Sequence, residues 1–171
     1  MRKRQYHCDN NELVELSVLR YKKQEVYAFV ETLMPHAIQD VELTRALERG
    51  EVANHDFRHA SHLHVAWVYL TESSSTNEAA CKMRATLRRF ASSLGHLEKY
   101  HETITLFWIH FLARERAMAA DKSLEQIVKA NRQLLEKDFP LTYYSRQLLF
   151  SDRARESWVE PDLKHFLKDV F

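Results

Sequence analysis

The chain has 171 residues, of which 45% are hydrophobic and 29% are charged, and its formal net charge is +1. These values are ordinary for a soluble globular protein, and a balanced charge argues against a dedicated binder of nucleic acid or of anionic membranes. No apolar stretch approaches the roughly 18 residues of a membrane-spanning helix. We therefore expect a cytoplasmic protein with no nucleic-acid or membrane partner, whose oligomeric state the sequence does not indicate.

Glycine and proline are rare, and they stand where helices are expected to end. Only two glycines and three prolines are present, and Gly50 and Gly95 each follow a stretch with helical periodicity. Pro35 and Pro140 end two similar stretches. So few glycines leave little material for the turns of an all-β domain. We predict an all-α fold, with residues 1–171 forming a single-domain bundle of five to seven helices.

The predicted elements follow one another with short breaks. Residues 1–22 form an N-terminal extension of uncertain structure, because the alternation of Val14, Leu16 and Val18 suits either a strand or the start of a helix. Residues 23–137 are expected to form the bundle. Its helices are predicted at 23–34, 39–49, 56–71, 76–94, 97–119 and 122–137. Residues 138–171 are expected to form short helical turns and an irregular tail wrapped over the bundle.

The first histidine-bearing helix face lies in the segment "NHDFRHASHLHVAW". His59 recurs with Leu63 and Ala66 at helical spacing, so we expect it to face the core. His62 is three residues further on, where Cβ atoms on a helix are roughly 5–6 Å apart. His59 and His62 are therefore close enough to share one ligand.

The second lies in "KYHETITLFWIHFLA", where polar residues interrupt an apolar run that begins at residue 99. At about 100° per residue, His101 shares a narrow stripe with Thr105 and Trp108. We therefore expect His101 to face the core, with Glu102 about 100° further round the helix. A helix built only for packing would carry leucine or alanine there, so this pattern favours a chemical site.

Two functions are compatible with these histidines, and the pattern favours the first, a metal-dependent enzyme acting on a small molecule. In the first, His59, His62 and His101 hold one transition-metal ion (Zn, Fe, Ni or Cu), because neutral imidazole binds these ions well. Three protein ligands leave a position open for a small-molecule substrate, and Glu102 is then the acid/base or a partner of a metal ligand. In the second, the same histidines form a buried polar network in a non-catalytic module that binds a ligand or another protein. The sequence indicates no reaction.

Three further residues are candidates for contact with a small-molecule ligand. Thr105 lies on the same stripe as His101. Arg155, in the predicted tail, is expected either to pair with a carboxylate of the bundle or to bind an anionic ligand group as a bidentate fork. Tyr144, or its neighbour Tyr143, is able to donate a hydrogen bond into the same cavity.

The segments "FRHASHLHVAWVYL" and "YHETIT" together resemble an uncharacterised bacterial family. That family is marked by an aromatic-x-His-x-x-His-Leu helix followed by Tyr-His-Glu-Thr-Ile/Leu-Thr. The matching positions are Phe57, His59, His62, Leu63, Tyr100, His101, Glu102, Thr103 and Thr105. The resemblance continues through "YYSRQLLFSDRARESWVEPDL" and covers residues 38–165. It implies that these residues belong together, and it implies no reaction.

Overall fold

The computed structural model of the chain describes residues 36–119 and 121–165. The chain divides into two compact units, residues 1–39 and 40–171, and all of the packing described below belongs to the second unit. The predicted N-terminal extension and the helix predicted at 23–34 lie outside the described residues. The prediction of a single domain stays a prediction.

Seven α-helices and no strand are present in the described parts of the chain, which confirms the predicted all-α fold. The helices are α1 (His36–Arg49), α2 (His59–Glu72), α3 (Thr76–Ser93), α4 (Glu102–Met118), α5 (Leu124–Ala130), α6 (Arg146–Leu149) and α7 (Asp152–Glu156). Single 3-10 turns occupy Leu97–Lys99, Arg132–Leu135 and Phe139–Thr142. Within these ranges no helix combines the length and the apolar character that crossing a membrane requires.

Helix α4 is the centre of the bundle. It packs against both α2 and α3, which also pack against each other. Aromatic rings surround its middle: Phe107 lies 5.2 Å from Trp108 and 5.3 Å from Tyr143 between ring centroids, and Phe111 lies 5.1 Å from Phe139. Residues on every side of α4 are buried between Glu102 and Leu112, whereas Arg116 near its C-terminal end is exposed. The near-continuous apolar composition of its sequence follows from this central position.

The chain turns sharply after α3, and this turn places the next segment beside the end of that helix. Gly95 adopts a φ of 69°, in the left-handed region. A residue without Cβ takes that conformation at little cost. Gly50, with a φ of 74° after α1, ends that helix in the same way, so both glycines stand where the sequence predicts helix ends.

Two predicted helices are shorter in the structure than expected. The helix predicted at 97–119 begins only at Glu102, because Tyr100 and His101 are extended, with ψ values of 142° and 109°. The helix predicted at 122–137 ends at Ala130 and is followed by a 3-10 turn. The helical spacing that would place Leu135 on the same face as Leu124 is therefore interrupted, and Leu135 is 49% exposed instead of facing the core.

The residues after α5 cover the start of α4, as predicted for the tail. Tyr144, Ala154 and Val159 are buried in the core. The Thr103 hydroxyl donates to the Ser157 carbonyl (2.8 Å) and accepts from the N–H of Val159 (3.3 Å). The tail is thus fastened to the first turn of α4 by hydrogen bonds as well as by apolar packing.

Candidate small-molecule cleft

His101 is the N-cap of α4 and is nearly inaccessible to solvent. Its Nδ1 accepts a hydrogen bond from the N–H of Ile104 (3.3 Å), one of the donors that a helix start leaves without an internal partner. Its Nε2 donates to the carbonyl of Leu149 at the end of α6 (2.8 Å). Burial lowers the pKa of His101, so the ring is neutral, and both of its nitrogens are already used by the protein.

Glu102 is buried at the first position of α4, and both of its carboxylate oxygens have partners. Oε1 accepts from Nε of Arg84 on α3 (2.5 Å), and Oε2 accepts from the Tyr100 hydroxyl (2.6 Å). Burial, reinforced by the hydrogen bond to Glu102 and its negative charge, raises the pKa of Tyr100, which therefore stays protonated and donates. Through these two hydrogen bonds, Glu102 joins α3 to the segment before α4.

His59 and His62 lie in the first turn of α2 and are half-buried. Nε2 of His59 donates to the Leu134 carbonyl (2.8 Å), and Nδ1 of His62 donates to the Arg58 carbonyl (2.9 Å). Burial lowers the pKa of His62 to about 4, so this ring is neutral at physiological pH. Because its proton is on Nδ1, Nε2 of His62 keeps a lone pair and is able to accept a hydrogen bond.

The three histidines each bond to a backbone carbonyl, and the predicted metal centre stays a prediction. They donate hydrogen bonds to three different backbone carbonyls, and His101 also uses its second nitrogen to cap α4. Among residues 36–119 and 121–165, no three histidine, cysteine, aspartate or glutamate side chains are grouped so that they could hold a metal ion. The predicted binding of Zn, Fe, Ni or Cu by His59, His62 and His101 therefore has no support from the arrangement of the described residues and stays a prediction.

A cleft of about 300 Å³ opens beside these residues. It lies between the residues around the start of α2, the last turns of α3 and the segment that leads into α4. This volume is at the lower end of the range of about 300–1,000 Å³ that small-molecule sites occupy. Much of its wall is apolar, and these side chains are Phe57, Leu87, Phe90, Ala91, Leu94 and Ile104.

Polar side chains complete the lining of the cleft. His62, His101 and Thr105, three of the residues singled out in the sequence, all belong to it. The remaining polar members are Asn54, His96, Lys99 and Tyr100. Spacing did not single out Lys99 and Tyr100, because residues 97–119 were predicted to be one helix. Asn54 and His96 lie between predicted helices, where periodicity gives no signal.

The other predicted site residues do not line the cleft. Tyr144 is fully buried, and its hydroxyl donates to the Val159 carbonyl (3.0 Å). Nη1 of Arg155 donates to the carbonyls of Glu98 (2.8 Å) and Tyr100 (3.3 Å), and among the described residues Arg155 forms no ion pair with a carboxylate. Both residues support the segment that forms one wall of the cleft, Arg155 directly and Tyr144 through the tail.

Comparison of the chain with protein-family models, with curated proteins and with solved structures found no match. The resemblance to the histidine-bearing bacterial family therefore stays a prediction.

Proposed function

We propose that this protein is a helical binding module that holds a small, largely apolar molecule in the cleft between α2, α3 and the segment entering α4. The cleft carries the proposal, because it combines an apolar wall with a few convergent polar groups. That combination is the usual composition of a small-molecule site. The histidines singled out in the sequence then serve a binding site and its scaffold, which is the non-catalytic alternative of the two functions.

His62 is the residue that we assign to ligand recognition. It lines the cleft, its ring is held 4.3 Å from that of Phe57, and its Nδ1 is fixed by the Arg58 carbonyl. The tautomer is thereby set, and Nε2 is left as an acceptor. A ligand with an apolar body and one O–H or N–H donor matches this site.

The binding of 2-naphthol, a flat apolar molecule with one hydroxyl donor, tests the proposal. We expect it to change the amide NMR resonances of the last turns of α3 and of residues 96–105, while those of α5 stay unchanged. Ala91→Phe places a large ring in the cleft and should abolish these changes. Ala85→Phe is the matched control, because Ala85 is exposed on the same helix and does not line the cleft.

Two results would overturn the proposal. One is an unchanged spectrum of the wild-type protein at millimolar 2-naphthol. The other is equal binding to Ala91→Phe and Ala85→Phe, which would place the ligand elsewhere on the surface.

The metal-dependent enzyme stays an untested prediction, and no contact among the described residues favours it. Glu102 bonds to Arg84 and Tyr100, and the three histidines are not grouped as ligands of one ion. We therefore assign no reaction to the protein.

A further inference from the structure

We propose that the cleft selects an apolar molecule with one negative charge, and that Lys99 provides this selectivity at the rim. This inference rests on the binding function proposed above and adds the charge of the ligand. Lys99 lines the cleft and is exposed, and it forms no ion pair with any residue that the structure describes.

The lining of the cleft has no negative charge of its own. None of its residues is an aspartate or a glutamate. Three carboxylates adjoin lining residues in the sequence, and each has a partner within the protein. Asp56 lies 3.3 Å from His55, Glu98 lies 3.0 Å from His96, and Glu102 accepts from Arg84 and Tyr100. The ammonium of Lys99 is therefore the permanent charge among the lining residues. The backbone N–H of Glu98, then His96 and, least, Lys99 lower the pKa of the Glu98 carboxyl, so Lys99 interacts with this carboxylate without an ion pair and stays accessible to a ligand anion.

The surroundings of the cleft add positive potential. Arg88, on α3, lies with its guanidinium 5.4 Å from the ring centroid of Tyr100, a lining residue. Arg84, one turn earlier, is neutralised by its bond to Glu102. Charges near a low-dielectric wall are screened less than charges in open water, so Lys99 and Arg88 together favour an anion at the mouth of the cleft.

The geometry also indicates how such a ligand would be oriented. Lys99 precedes the extended residues that lead into α4, whereas His62 lies on α2 across the cleft. An apolar body between Leu87, Phe90 and Ile104 would leave its charged group near Lys99 and in contact with water. Solvent contact of the charged group limits the cost of removing that charge from water.

Three naphthalene probes of similar size test the charge selectivity by isothermal titration calorimetry at low salt. They are 6-hydroxy-2-naphthoate (anion), 2-naphthol (neutral) and 6-hydroxy-2-naphthylmethylammonium (cation), and each carries the hydroxyl donor that His62 accepts. We expect 6-hydroxy-2-naphthoate to bind about two- to five-fold more tightly than 2-naphthol, as one exposed charge pair allows, and the cation to bind most weakly. Added salt should reduce the preference, because exposed charges are screened.

Lys99→Gln should remove the preference for 6-hydroxy-2-naphthoate while leaving the affinity for 2-naphthol within about two-fold, because a rim pair contributes little beyond its charge. Lys129→Gln is the matched control, since Lys129 is exposed on α5 and does not line the cleft. Binding of 2-naphthol that equals or exceeds that of 6-hydroxy-2-naphthoate, or a preference that is retained in Lys99→Gln, would overturn this inference alone. Absence of binding by all three probes would overturn the proposed function.

Discussion

The starts of α2 and α4 both place histidines among large apolar residues, yet the protein uses them differently. At the start of α4, three polar side chains form hydrogen bonds within the protein. His101 caps the helix and donates to Leu149, Glu102 accepts from α3, and Thr103 donates to the tail. At the start of α2, His62 uses one nitrogen for the preceding turn and keeps the other as an acceptor. Buried polar groups with all partners inside the protein stabilise a fold, whereas a fixed group with one unused atom is suited to a ligand.

The largest expected effect comes from removing the N-cap of α4. His101→Ala loses the hydrogen bonds to Ile104 and Leu149 and should lower the free energy of unfolding by about 2–4 kcal/mol. His101→Asn provides a good N-cap but does not reach Leu149, and should recover about 1 kcal/mol of the loss. Chemical denaturation of the three proteins measures both steps. Equal stability of His101→Ala and the wild type would contradict a structural role for this histidine.

A smaller loss is expected at Glu102. Glu102→Gln removes the charge that accepts from Arg84 and Tyr100, and should lower the free energy of unfolding by about 1–2 kcal/mol. The loss should be the same in the presence of a metal chelator, because both carboxylate oxygens accept from protein donors. Glu136→Gln, at an exposed position, is the control and should change stability by less than about 0.5 kcal/mol. A loss seen only in metal-loaded protein would instead support the predicted metal centre.

The third effect is a pH dependence that distinguishes the start of α2. An unfolded histidine titrates near 6.5, whereas burial lowers the pKa of folded His62 to about 4. The unfolded chain therefore binds more protons between these two pH values. The contribution of His62 to the free energy of unfolding is fully present above pH 6.5 and decreases as the pH drops towards 4. His62→Gln should reduce the loss at pH 5 by about 1–2 kcal/mol, allowing for partial exposure of the ring.

Denaturation of both proteins at pH 7.5 and pH 5 gives this difference directly. Burial also lowers the pKa values of His101 and His110, so the wild type loses stability in acid from several groups, and only the difference between the two proteins reports on His62. Identical acid dependence of wild type and His62→Gln would show that His62 titrates as it does in the unfolded chain.

The sequence predicts the helices better than it predicts their starts. The stripe of α2 is confirmed, because Leu63, Ala66 and Leu70 are buried, and periodicity in a long helix depends on burial of one face. The start of α4 was placed too early because histidine is not among the residues that usually signal an N-cap. Its role as a cap depends on Leu149, which lies 48 residues away and fixes the ring.

The same error explains what the sequence missed in the cleft. A helix over residues 97–101 would place His101 on the same face as Trp108. This placement is the basis for the prediction that the three histidines hold one ion. In the structure those residues form a 3-10 turn and an extended pair, which brings Lys99 and Tyr100 to the cleft wall. Spacing alone does not report which nitrogen of a histidine is already hydrogen-bonded, and this decides between a ligand site and a scaffold.

Ring-nitrogen NMR of the histidines, recorded before and after addition of 2-naphthol and then of zinc, tests the central comparison most directly. We predict a neutral Nε2–H tautomer for His101 and a neutral Nδ1–H tautomer for His62 at pH 7.5. 2-Naphthol should shift the Nε2 resonance of His62 and leave both nitrogens of His101 unchanged, and zinc should shift neither residue. A simultaneous shift of His59, His62 and His101 on addition of zinc, or no response of His62 to 2-naphthol, would contradict this assignment of the two regions.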